Sequence, residues 1–281
     1  LHELAIKAAP LILIAVGLSV CYRANIWNIG AEGQFILGGI VGSIIPVMYP
    51  DFQSPVVLPL MLILGMVGGA AYAAIPAFLK ARFNTNEILT SLMLVYVAQL
   101  LLDWMVRGPW RDPKGFNFPQ TVLFSDAATL PQIFPDSGRA NWGFVFALVA
   151  AVLVWILMSR MLKGFEVRVL GSSPRAGRFA GFSFNRMVFF AFMLSGALAG
   201  LAGISEVSGA IGQLQPSISP GYGFAAIIVA FLGRLNPLGI VAAGLVLGLT
   251  YLGGEAAQTA LGVSDKVARV FQGMLLFFVL G

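Results

Sequence analysis

The sequence predicts an all-α, polytopic membrane protein with about nine membrane segments, and three observations carry that prediction. Of 281 residues, 58% are hydrophobic and 10% charged, less than half of the roughly 25% charge a soluble domain uses to face water. The apolar runs are long and continuous, without the period-two alternation of an outer-membrane strand, so the spans are helices. Polar, glycine-rich stretches interrupt these runs, which predicts broken helices within a single domain covering residues 1–281.

The segments follow in order. Leu4–Tyr22 is apolar almost throughout, and it ends in the run Arg23-Ala24-Asn25-Ile26-Trp27-Asn28-Ile29-Gly30-Ala31-Glu32-Gly33-Gln34. Phe35–Tyr49, Val56–Leu79 and Ile88–Val106 are next, the last preceded by Asn84-Thr85-Asn86-Glu87. The long stretch Arg107–Asn141 of mixed charge leads to Trp142–Leu162. After a basic connector come Met187–Val207, the polar break Gly209–Gly221, Tyr222–Leu232, Leu238–Gly253 and Val267–Gly281. Most approach the roughly 20 residues needed to cross about 30 Å of hydrocarbon. Tyr222–Leu232 is about half that length and reads as one half of a broken helix.

Charge sets an orientation. The connector Ser159–Arg186 holds Arg160, Lys163, Arg168, Arg175, Arg178 and Arg186 against Glu166, so it is expected on the cytoplasmic side. Alternation then puts Lys80, Arg82 and Arg234 inside, and Asp51, Arg107–Asn141 and Gly209–Gly221 outside. The same parity predicts that Leu4–Val106 and Met187–Gly281 are inverted-topology halves, each interrupted by a polar break, a pattern that points to a transporter's binding region. The net charge of +5 reports topology and gives no reason to expect a nucleic-acid partner.

Several chemistries are excluded. Cys21 is the lone cysteine and His2 the lone histidine, so neither a disulfide within the chain nor a Cys- or His-based metal site is expected. The sequence contains no P-loop, nucleophile elbow or dinucleotide fingerprint. The chain is therefore expected to be no enzyme and to hold no cofactor; if it transports actively, the energy comes from a gradient or from another chain. It begins at Leu1 without methionine and stops within an apolar run, so it reads as a piece of a longer protein.

The candidate pathway residues are Asn28, Glu32, Gln34, Asn86, Glu87, Ser91, Tyr222 and Phe224. Asn28 and Glu32 are four apart, as are Glu87 and Ser91, so each pair would share a helix face. Such groups are costly in lipid and usually line a cavity or path. The alternatives are local: a capped turn for Arg23, Asn25 and Asn28, and a cap of the helix beginning near Glu87 for Asn84 or Asn86. Tyr222 and Phe224 could stack on a planar ligand or serve as interfacial anchors. Within the first run, Glu32 is assigned more to bracing the break and Asn28 more to the path.

In the connector, residues 164–182, Ser173 suits an N-cap, Pro174 a first helical position and Gly181 a stop. The result is a helix of about two turns outside the membrane, which fits either a rest on anionic headgroups or a dock for a cytosolic partner.

Asn28-Ile29-Gly30-Ala31-Glu32-Gly33-Gln34, Asn86-Glu87-Ile88, Gly171-x-x-Pro174-x-Ala176 with Ala180-Gly181, Gly221-Tyr222-Gly223-Phe224 and Leu232-Gly233-Arg234-x-Asn236-Pro237-Leu238-Gly239 resemble the permease subunits of bacterial nucleoside-type ABC importers. That group also contains ribose-type and branched-chain amino acid permeases. The resemblance implies a multi-pass protein of the cell (inner) membrane, with a further N-terminal helix before Leu1. It implies a second permease chain, by preference a paralogue, a cytosolic ATP-binding subunit and an extracytoplasmic solute-binding lipoprotein. By matching position, Gly171, Ser173, Pro174, Arg175, Ala176, Arg178 and Gly181 would couple to the ATPase. Gly177 departs from the pattern, costing about 1 kcal/mol relative to Ala within a helix. The expected cargo is a purine nucleoside or related compound. Import of simple sugars or branched-chain amino acids, or ion-coupled secondary transport with Glu32 or Glu87 as the ion site, are the alternatives.

Overall fold

The computed structural model describes residues 2–133 and 138–262, together with positions 267, 270, 271, 273, 274, 277 and 278. Among the described residues up to 262, eleven α-helices follow in order: α1 His2–Arg23, α2 Ala31–Gly42, α3 Ile44–Met48, α4 Val57–Phe83, α5 Glu87–Arg107, α6 Gly143–Arg160, α7 Leu162–Ser172, α8 Pro174–Phe179, α9 Phe184–Glu206, α10 Tyr222–Leu232 and α11 Pro237–Leu261. A π turn, Val207–Ile211, prolongs α9.

Among the described residues six helices are long and apolar enough to cross a membrane: His2–Arg23, Val57–Phe83, Glu87–Arg107, Gly143–Arg160, Phe184–Ile211 and Pro237–Ala260. Among the described residues the expected nine segments are thereby corrected to six: two are too short as helices, and one lies largely outside these residues. Phe35–Tyr49 is not one helix: it divides at Ser43 into α2, twelve residues long, and α3, five residues long. Tyr222–Leu232 is eleven residues, about 16 Å of helix. Val267–Gly281 lies largely outside the described residues.

The apolar α1 is hydrophobic on every side, and a helix of that kind belongs in the middle. It is buried along most of its length and surrounded by α6, α9, α10 and α11. Around it, α4 packs on α9 through glycines four residues apart on each helix. A Cβ on Gly200 would strike the Gly65 carbonyl, and one on Gly69 would strike the Gly196 carbonyl. Lipid tails are as apolar as leucine, so close backbone approach through small residues replaces hydrophobic burial as the packing force.

The two ends of the bundle differ. At one end lie Arg23, the turn between α4 and α5, helices α7 and α8, and the end of α10, where Phe231 stacks on Tyr22 at 5.1 Å and on Trp27 at 6.0 Å. The opposite end is covered by residues 120–130, which run along the π turn and its sequel. Leu130 N donates to Ser208 O at 3.0 Å, Phe124 N to Gly212 O at 2.8 Å and Thr121 N to Leu214 O at 3.0 Å.

Candidate functional site

Helix α1 ends because Asn25 adopts a left-handed φ of 56°, a conformation asparagine tolerates better than most residues. The chain then doubles back into the bundle. Gly223, at the start of α10, lies eight residues before Phe231, so the level of Glu32 beside it is roughly 12 Å deeper than the Tyr22–Phe231 stack. That is near the middle of a hydrocarbon layer about 30 Å thick.

This re-entrant turn is closed by side-chain amides. Asn28, fully buried, donates from Nδ2 to Gln34 Oε1 at 3.0 Å and to Ser195 Oγ at 3.2 Å. Its Oδ1 accepts from Gln34 Nε2 at 3.1 Å and Gly30 N at 3.0 Å. Ser91 Oγ accepts from Ile29 N at 3.2 Å, and Tyr22 donates its hydroxyl to Asn28 O at 3.1 Å. A buried polar group must be paired or cost 1–3 kcal/mol or so, and here the nitrogen and oxygen of both amides each have a partner.

Glu32 stands one step further in. It occupies the first turn of α2 and accepts from Gly223 N, in the first turn of α10, at 2.6 Å. One carboxylate thus meets two helix N-termini, each carrying a partial positive charge. The Ser219 hydroxyl faces the same carboxylate. Beside them opens a cavity of ≈ 390 Å³ lined by Glu32, Ile36, Tyr96, Gln99, Leu100, Asp103, Pro216, Ile218 and Ser219, a size within the range of small-molecule sites. At its mouth Asp103 pairs with Arg107 at 2.7 Å.

Of the candidate pathway residues, the fold brings Asn28, Glu32, Gln34 and Ser91 together and sets four apart. Asn86 is the N-cap of α5, accepting from Ile88 N at 3.0 Å and Leu89 N at 3.3 Å. Glu87 pairs with Lys80 at 3.0 Å across the α4–α5 turn. Phe224 is 39% exposed, whereas Tyr222 is buried and packs against Phe35 and Tyr251. Sequence reasoning missed Tyr96, Gln99, Asp103, Ser195 and Ser219. The first three carried a signal: at spacings of three and four they form one stripe of polar atoms along the apolar α5.

The connector folds as a helix pair. Ser173 caps α8, accepting from Ala176 N at 3.4 Å, with Pro174 at the first position and Gly181 at φ +82° beyond its end. Helix α8 has six residues, close to the two turns expected. Gly177 is the point at which α8 rests on α7, since a Cβ there would strike Leu170. Gly171 lies directly on the Arg23 carbonyl and Ala24, so the connector touches the start of the re-entrant turn. Pro174, Arg175, Ala176 and Arg178 are exposed, and Phe179 is 95% exposed.

Comparison with known proteins gives a consistent picture. The family described as branched-chain amino acid transport system / permease component matches residues 1–280. The glucose ABC transporter permease protein TsgB13 of Haloferax volcanii is 38% identical, covering 100% of this chain and 76% of its own length. The nucleoside ABC transporter permease protein NupB of Lactococcus lactis is 30% identical over 96% of this chain and 76% of its own. The guanosine ABC transporter permease protein NupP of Bacillus subtilis is 30% identical over 97% and 78%. Among solved structures, PsaBC from Streptococcus pneumoniae in complex with Fab superposes with a TM-score of 0.53 at 10% identity, covering 100% of this chain and 90% of that one. That likeness is one of fold.

Proposed function

This chain belongs to the ABC permease family of branched-chain amino acid transport system permease components, as a multi-pass membrane protein, and we propose that its cargo is a purine nucleoside or a related compound. The observation that carries this reading is the cavity lining. Glu32, Gln99, Asp103 and Ser219 offer carboxylate, amide and hydroxyl groups beside the ring of Tyr96, with no Lys, Arg or His in the wall. Ribose hydroxyls would donate to the carboxylates, and a purine would stack on the tyrosine face. A free amino acid needs a cationic or amide-rich seat for its carboxylate, which Glu32 opposes, and the nearby Arg107 is taken up by Asp103. A hexose satisfies the same hydroxyl-seeking groups, and the 38% identical glucose permease favours this second reading.

In the proposed mechanism, ATP and magnesium act on cytosolic partner subunits docked against residues 164–182, with Phe179, Arg175 and Arg178 as the exposed contacts. Movement of α8 passes through Leu170 to α7, and through Gly171 to Arg23 and Ala24. From there it enters the Asn28–Gln34–Ser195 network and reaches Glu32 beside the cavity. A second permease chain would cover the open side of α5, and a solute-binding lipoprotein would deliver cargo.

The test is competition in proteoliposomes containing the assembled importer, with ATP inside and ion gradients collapsed. Unlabelled guanosine or adenosine should suppress labelled nucleoside uptake at least 10-fold. Uptake of glucose alone would transfer the assignment to sugars. Leucine uptake would overturn both readings, and loss of all uptake with the gradients would make the chain's transport ion-driven.

A further inference from the structure

A second polar cluster lies toward the end of the bundle covered by residues 120–130, away from the cavity. It centres on Glu206, the last residue of α9 before the π turn. An acid so placed within an apolar span is expensive, and such residues mark ion or substrate sites. Lys7 of α1 faces Glu206, but its ammonium is already bound to Glu255 of α11 at 2.7 Å. One cation thus stands against two carboxylates, leaving one negative charge uncompensated.

The surroundings are oxygen-rich and incompletely satisfied. Ser205 is 5% exposed, and its Oγ makes no hydrogen bond among the described residues. The buried Tyr222 hydroxyl faces Glu206 without a hydrogen bond of full distance and angle. A small cavity beside them is lined by Ile6, Asn141, Ser205 and Glu206, among others, with room for about one water-sized particle. Asn141 Oδ1 already accepts from Gly143 N at 3.0 Å, and its other lone pair remains. The π turn at Val207–Ile211 interrupts the α-helical ladder, and interrupted helices in membranes characteristically turn carbonyls toward bound ions.

We propose that Glu206, Ser205 and Asn141 form a site for one dehydrated, sodium-sized monovalent cation, which fixes the end of α9 against α1 and the stretch before α6. A single uncompensated carboxylate balances a monovalent ion and under-binds a divalent one. Hydroxyl, amide and carboxylate oxygens are the hard ligands such an ion takes. The site is distinct from Glu32, whose carboxylate is held by Gly223.

Thermal unfolding of the purified chain in detergent, with NaCl exchanged for choline chloride at constant ionic strength, tests the site. Sodium should raise the midpoint saturably by several degrees, and KCl should do so more weakly. Ser205→Ala removes a hydroxyl with no partner and leaves packing intact, and it should weaken the sodium dependence about 10-fold. Glu206→Gln should abolish it. Equal midpoints in NaCl and choline chloride would overturn the proposal, as would a sodium effect that survives both variants. A stability that follows pH alone, with no preference for sodium, would give the carboxyl a proton in place of the ion and overturn it too.

Discussion

The two breaks in this bundle solve the same problem with different balances of side chain and backbone. Residues 24–30 turn back into the membrane and satisfy themselves through side chains, with Asn28 and Gln34 exchanging amide hydrogen bonds and Ser91 and Ser195 completing the set. Residues 212–221 add backbone to side chains, with Gly212 and Gly221 at φ +80° and +102°, main-chain hydrogen bonds to residues 121–124, and side-chain bonds from Gln120, Thr121 and Ser219. The enclosed amide network should make the first break the more rigid joint and the glycine-flanked second break the more pliable one. Glu32 connects them, because it belongs to the helix after the first break and holds the helix after the second. A permease that must transmit a push and also reshape a path has use for both kinds of joint.

The comparison can be broken most forcefully at Asn28. Asn28→Ala strands Gln34 and the Gly30 N–H together, each at about 1–3 kcal/mol, so a loss of roughly 3 kcal/mol or more is expected. Thermal unfolding with size exclusion in detergent measures it, and a near-native midpoint would mean that the first joint is not rigid. Glu32→Gln comes next. It keeps an acceptor oxygen for Gly223 but removes the charge seen by two helix N-termini, worth up to about 2 kcal/mol in a partly buried site. Its unfolding midpoint should fall less than that of Asn28→Ala while uptake falls at least 10-fold. Equal losses in both properties would reduce Glu32 to a brace. Gly221→Ala is the mildest. No atom lies within 4 Å of the Cβ it would add, so the cost is that of holding alanine at positive φ, about 1 kcal/mol. A larger loss would show that the second joint is less pliable than its hydrogen bonds imply.

Much of this was legible beforehand, for physical reasons that differ by residue. The crossing helices follow from apolar length, and the Ser173–Pro174 start of α8 follows from cap chemistry. The Asn86 cap was among the readings open at its position. The segment count failed at Ser43 because composition does not register a helix that divides in the middle of an apolar run. The Asn28–Gln34 bond joins residues six apart, a spacing no regular helix brings together, so only the turn itself could reveal it. The polar stripe of α5 and the acid at Glu206 were visible, yet they were absorbed into the apolar runs around them. Gly177 looked like a defect because its neighbour Leu170 belongs to another helix.

One further feature has a practical value. Trp27, 38% exposed, sits against both Tyr22 and Phe231, where the end of α1, the re-entrant turn and the end of α10 converge. An indole's emission depends on the polarity and packing around it, so this side chain is a native optical gauge for the joint. Retaining Trp27 and replacing the other four of the chain's five tryptophans would let a spectrometer follow the conformational cycle without an attached dye.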